Sequence, residues 1–103
     1  MREEEHIHWW KIPKLDAPDF NTQLHRAINL MAEFMEVDPA FFMTVNVENK
    51  WSVVDQRGAL HIEKIVEPGG FLIALGDKLN WAFLSEREFK IMFPKVNTDR
   101  ELI

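Results

Sequence analysis

The chain has no cysteine, no tyrosine and only two serines in 103 residues. Without cysteine there are no disulfides, no thiol nucleophile and no thiolate zinc site. The serines exclude almost as much. Ser85 stands where a helix cap is needed, and Ser52 falls in mid-strand without an elbow of glycines, so neither is set up as a nucleophile. No apolar run approaches the ~18 residues of a membrane span. Met1-Arg2-Glu3-Glu4-Glu5 is acidic where a secretion signal is basic. Positive charge is short as well: 12 Lys and Arg stand against 17 Asp and Glu, a net charge of -5, which argues against unspecific binding to phosphate backbones. The expectation is a cytoplasmic protein without a membrane segment or direct nucleic-acid contact.

What is present is a globular composition, 47% hydrophobic and 28% charged, and the length of a single domain. One α+β domain is expected over 1–103, with polar, flexible ends at 1–5 and 95–103. His6-Ile7-His8-Trp9-Trp10-Lys11-Ile12 is β-branched and aromatic and reads as a short strand closed by Pro13. Its alternation puts one tryptophan on each face. Asp16, Pro18 and Asp19 announce a helix, with Asp16 as cap. Phe20, Leu24, Ala27, Ile28, Met31 and Met35 then recur at helical spacing, and Pro39 ends the element, which spans about 17–37.

A meander of strands follows. Phe41–Val47 alternates, with Phe41, Met43, Val45 and Val47 on one side. Trp51–Asp55 and Leu60–Val66 come next, separated by turns at 48–50 and 56–58. Pro68-Gly69 has the residues of a type II turn. Phe71-Leu72-Ile73-Ala74-Leu75 is apolar throughout, so it reads as a central strand buried on both faces. Gly76–Asn80 turns the chain and Trp81–Leu84 is the last strand. Ser85 and Glu88 form a capping box, with Leu84 and Phe89 spaced as a hydrophobic staple, opening a short helix over 86–93. In outline the order is β-α-β-β-β-β-α: a small, mostly antiparallel, five-stranded sheet or partial barrel packed on one long helix, with a short C-terminal helix.

Little in this pattern is catalytic. His6 and His8 share a strand face, and His61 or His25 can add a third nitrogen for a transition metal, but the spacing fixes no acidic ligand. Asp55, Glu63, Glu67 and Asp77 each lie near a turn, where solvation is the ordinary role. Pro68-Gly69-Gly70 joins two strands and opens no helix, unlike a phosphate loop. The acidic residues are interleaved with basic ones and form no phosphate-like row, as a nucleic-acid mimic would require. No metal, cofactor or enzymatic activity is expected.

The aromatics say more. Twelve tryptophans and phenylalanines include the adjacent pairs Trp9-Trp10 and Phe41-Phe42. Neighbours on a strand face opposite ways, so either both faces of the sheet are covered or one is a docking surface. Taking the second branch, Trp9, Trp10, Phe42 and Trp51 are the expected partner-binding residues.

At Pro68-Gly69-Gly70-Phe71-Leu72-Ile73, and from Trp81 through Phe93, the chain resembles a group of small phage and prophage proteins of unknown function. In that group a strand, a helix and a meander lead to a Pro-Gly-Asp-Trp-Ile-type hairpin and a capped C-terminal helix of the form Phe-x-x-x-Tyr. Phe89 and Phe93 keep this spacing. The chain departs from it at Gly70 for Asp, Phe71 for Trp and Phe93 for Tyr, and lacks the polar, Pro-containing stretch before the last helix. The resemblance implies an origin in a mobile element and no particular activity. The functional expectation is a non-enzymatic protein-binding module: an accessory factor that docks on a host or phage protein, or on a second copy of itself, and inhibits or redirects it. The alternatives are a small-molecule or metal-binding domain using His6, His8 and His61, and an acidic nucleic-acid mimic.

Overall fold

The computed structural model describes residues 7–76 and 80–96. It is an α+β fold with the order β1 (Ile7–Lys11), α1 (Phe20–Met35), β2 (Phe42–Val47), β3 (Lys50–Asp55), β4 (Ile62–Ile65), β5 (Phe71–Leu75), β6 (Trp81–Leu84) and α2 (Glu86–Met92). All six strand segments named from the sequence form strands, one more than the outline order counts, and they do not lie in one five-stranded sheet. They divide into two antiparallel three-stranded sheets, β1-β5-β6 and β2-β3-β4.

The division has a local cause. Pro68-Gly69 does form the type II turn, with Gly69 at φ 80° and the Gly70 N–H donating to the Glu67 carbonyl at 3.0 Å. The turn is not a hairpin, however. The Gly69 N–H donates to the Pro13 carbonyl and the Ile12 N–H to the Gly70 carbonyl. The chain leaving the turn is thereby tied to the end of β1, and β5 pairs with β1 instead of β4. Gly70 is required here by space: a Cβ would lie 2.2 Å from the Leu84 carbonyl oxygen.

β5 is the central strand of the first sheet, as its continuous apolar run implies. Register fixes the two faces. His8, Trp10, Leu72, Ala74, Trp81 and Phe83 share one; Ile7, Trp9, Phe71, Ile73, Ala82 and Leu84 share the other. The first face joins the main core with Leu24, Ile28 and Met31 of α1 and with Phe42 and Val53 of the second sheet. The second joins a smaller core with Phe89 of α2, where the Phe71 and Phe89 rings stack at 4.2 Å. A helix therefore covers each face.

Both helices differ slightly from expectation. α1 starts at Phe20 with Asp19, not Asp16, at its cap, and Asp19 makes no side-chain capping bond. The backbone supplies the early bonds instead, Phe20 N–H to Ala17 and Gln23 N–H to Asp19. α1 ends before Pro39, at Glu36, in the left-handed conformation (φ 60°). The Val37 N–H then closes on the Ala32 carbonyl. α2 carries the full capping box: Glu88 N–H to Ser85 Oγ at 3.1 Å and Ser85 N–H to Glu88 Oε1 at 2.9 Å. Beyond α2, Val96 packs on the smaller core. Of the ends expected to be flexible at 1–5 and 95–103, residues 1–5 and 97–103 lie outside the described residues, as do the turn residues 77–79.

Candidate binding surface

β2 and β3 are joined by Glu48-Asn49, both at positive φ (51° and 66°), the geometry of a two-residue type I′ hairpin. That turn sets Val47 opposite Lys50, and the rest of the register follows: Val45 with Ser52, Thr44 with Val53, Phe42 with Asp55. Phe42 and Val53 point into the main core. By alternation Thr44 and Asn46 point the same way, while Met43, Val45 and Val47 point outward. Thr44 is held inward by α1. The His25 Nδ1–H donates to the Asn21 carbonyl at 2.9 Å, and Nε2 lies 3.1 Å from Thr44 Oγ1.

The result reverses the usual arrangement of an amphipathic strand: the apolar row of β2 faces away from the core. Met43 is 46% exposed and Val47 62%. On β3 the outward residues are Lys50, Ser52 and Val54, and on β4 Glu63 and Ile65, the latter 67% exposed. Ser52 is buried at the centre of this face, its hydroxyl donating to the Glu63 carboxylate at 2.6 Å. The face is thus an apolar field of Met43, Val45, Val47, Val54 and Ile65, with Lys50 at one end and Glu63 at the other. Among the described residues no element packs over it, in contrast to the first sheet.

Beneath this face the second sheet is pinned by an ionic and aromatic cluster. Asp55 is buried and accepts hydrogen bonds from the Arg57 N–H (3.0 Å), from Arg57 Nε and Nη2 (3.0 and 2.7 Å to its two oxygens), and from the Trp81 indole Nε1–H (3.0 Å). Burial by itself pushes the Asp55 carboxyl up, but the bonds from Arg57 and Trp81 outweigh it and hold the group below its usual range. The same contact with Asp55 raises Arg57, whose guanidinium lies 5.5 Å from the Phe42 ring centre. The Lys64 ammonium stands 4.8 Å from the Trp81 ring centre and donates to the Trp81 carbonyl. Burial pushes Lys64 down, with Asp55 opposing and Arg57 adding to the effect. Lys64 on β4 thus bridges to β6 and couples the two sheets at their neighbouring edges.

Three of the four expected partner-binding residues are core. Trp9 is buried edge-on against the stacked Phe71 and Phe89 rings, with ring centres at 5.5 and 5.8 Å. Trp10 is buried on the α1 face beside Phe34, and Phe42 is buried edge-on to Trp81 at 5.6 Å. Both faces of the first sheet are covered, which takes the other branch of the choice posed by the aromatic pairs. The exposed member of Phe41-Phe42 is Phe41, 45% exposed. Trp51 alone of the four keeps surface. It packs on Phe20 at 5.7 Å and, with Leu15, Asn21, Asn46 and Asn49, lines a shallow cleft of about 460 Å³ at the start of α1.

The histidines do not assemble. His8 lies tilted against the Phe34 ring, with ring centres at 3.9 Å, His25 spans α1 and β2, and His61 is exposed ahead of β4. His6 lies outside the described residues. Among the described residues no three His, Asp or Glu side chains are grouped to hold a metal ion, and no helix is long and apolar enough to cross a membrane. The residues that sequence reasoning missed as candidates are Met43, Val45, Val47, Val54 and Ile65. Their signal was present as the alternating apolar row of β2, which does not say which way the row faces.

Compared with protein-family models, curated proteins and solved structures, the chain finds no match.

Proposed function

We propose that the chain is a non-enzymatic protein-binding module that docks through the outer face of β2-β3-β4. The observation that carries this reading is the outward apolar row Met43, Val45 and Val47, extended across the sheet by Val54 and Ile65. Isolated exposed apolar side chains are ordinary on a protein surface, whereas a contiguous field on a flat sheet is what an interface uses. The cluster below it supports the reading. Asp55, Arg57, Lys64 and Trp81 fix the sheet from its inner side, and a preorganised surface loses less freedom on binding. In this reading the protein acts by occupying a partner, as an accessory factor of a mobile element would, and turns over no substrate.

The experiment is site-specific photo-cross-linking in cells. A photoreactive residue replaces Ile65 in one variant and the exposed Asn29 of α1 in another. The reading expects a discrete protein adduct from position 65 and none from position 29. Absence of any adduct at 65, or equal adducts at both positions, refutes it.

A further inference from the structure

We infer that the partner seated on this face is a second copy of the chain, related by a twofold axis lying across the strands; this deepens the docking reading and rests on it. The argument is the charge pattern of the face. The whole chain carries -5, so a surface shaped for a basic partner should be acidic. This one is balanced, with one cation, Lys50, and one anion, Glu63. They stand at opposite ends of the face. Lys50 pairs with Val47 at the hairpin end, and Glu63 pairs with Val54 four residues further along β3, about 13 Å away at ~3.3 Å per residue.

A face with its cation at one end and its anion at the other complements itself when turned end for end. With the axis crossing β3 near Ser52, each strand lies over its own counterpart and the two ends exchange. Lys50 of one copy then meets the Glu63 row of the other, and the same contact is made a second time by symmetry. Met43, Val45, Val47, Val54 and Ile65 of both copies fill the space between, as in a packed pair of sheets. A twofold interface requires this isologous pattern, in which each contact between unlike residues occurs twice.

Glu63 suits the role for a second reason. Its carboxylate leans to the Ser52 hydroxyl at 2.6 Å, which brings the negative charge inward from the edge strand towards the middle of the field. A carboxylate there needs a cation when the field is covered, and a second copy brings one in Lys50. The eight outward residues of three short strands bury roughly 1,000 Å² in total over two copies, the lower end for specific association. A reversible dimer with a micromolar dissociation constant is therefore expected, not an obligate one.

The test is sedimentation velocity over a concentration series, on the wild type and on the charge reversals Lys50→Glu and Glu63→Lys. Both positions are exposed, and matching thermal melts show that the variants fold. Each reversal alone places like charges in contact twice and should weaken self-association about tenfold or more. Mixing the two variants should restore it as a heterodimer, because every facing pair is again unlike. A chain that stays monomeric to about 1 mM, or reversals that are silent or not rescued by mixing, overturns the inference. The cross-linking adduct at position 65 separates this failure from that of the docking reading. An adduct of twice the chain mass supports the second copy; an adduct with another protein keeps docking and overturns self-pairing; no adduct overturns both.

Discussion

Removing the Asp55 carboxylate tests the pin beneath the docking face. In Asp55→Ala the Trp81 indole N–H loses its acceptor in the core, where Trp81 is only 3% exposed. An unsatisfied buried donor costs about 1–3 kcal/mol. Arg57 loses an ion pair whose partner is buried, and breaking such a pair from one side costs about 3–5 kcal/mol. The Arg57 side chain keeps 26% of its surface in water, so solvent screens the pair and its loss costs about 1 kcal/mol in place of the fully buried figure, which brings the total to about 3 kcal/mol. For a domain of this size that is a fall of roughly 12–24 °C in Tm. Asp55→Asn keeps an acceptor for Trp81 and loses the charge, so it should cost about half as much. Urea titration followed by tryptophan fluorescence measures both. An Asp55→Ala variant within about 1 kcal/mol of wild type would refute the reasoning, because Arg57 and Trp81 would then be satisfied without Asp55. The pH dependence has a defined sign. The folded pKa of Asp55 is lowered from its ordinary value of 3.8, so its contribution is fully present above the unfolded value and is lost as pH falls through the folded one. The stability gap between wild type and Asp55→Asn should therefore be constant near neutrality and close only below about pH 4.

Two further variants address the core. Gly70→Ala forces a methyl to within 2.2 Å of the Leu84 carbonyl oxygen, a backbone atom that no rotamer change can move. It should cost about 2–4 kcal/mol in chemical denaturation, and a neutral result would show that β6 yields at that point. Trp10→Ala should destabilise by about 3–5 kcal/mol because Trp10 is buried on the α1 face. If it instead melted like the wild type and lost only association, Trp10 would be a surface residue and the assigned face would be wrong.

Much of the fold was legible because its signals are local. The type II turn at 67–70, the capping box of Ser85 and Glu88, and the buried run 71–75 each lie within a few residues of sequence. Pairing between distant segments was not local, and the errors follow from it. That β5 pairs with β1, not β4, depends on Gly69 and Gly70 bonding to Pro13 and Ile12, more than fifty residues earlier. Once that pairing is fixed, the fate of Trp9 and Trp10 follows. A strand beside a β5 buried on both faces shares both covers, so each tryptophan enters a core. The docking face failed to show for a similar reason. Alternation puts Met43, Val45 and Val47 together, but which way the row faces depends on distant partners, Trp81 against Phe42 and His25 of α1 against Thr44.

The outward row of β2 is also a question of energy. Slipping β2 by one residue would turn Met43, Val45 and Val47 inward, and full burial of such side chains is worth on the order of 1.5–3 kcal/mol each. Three features oppose the slip. Phe42 would leave its edge-on contact with Trp81 and its place beside Arg57. Thr44 would leave His25. The Glu48-Asn49 turn, with both residues at positive φ, would lose the two-residue geometry that sets Val47 against Lys50. Register is therefore fixed by the turn and by Phe42, and the apolar row is exposed as a consequence. Another surface can recover that burial without disturbing the register. A second copy recovers it for both partners at once, and its Lys50 also supplies the cation that Glu63 needs when the face is closed.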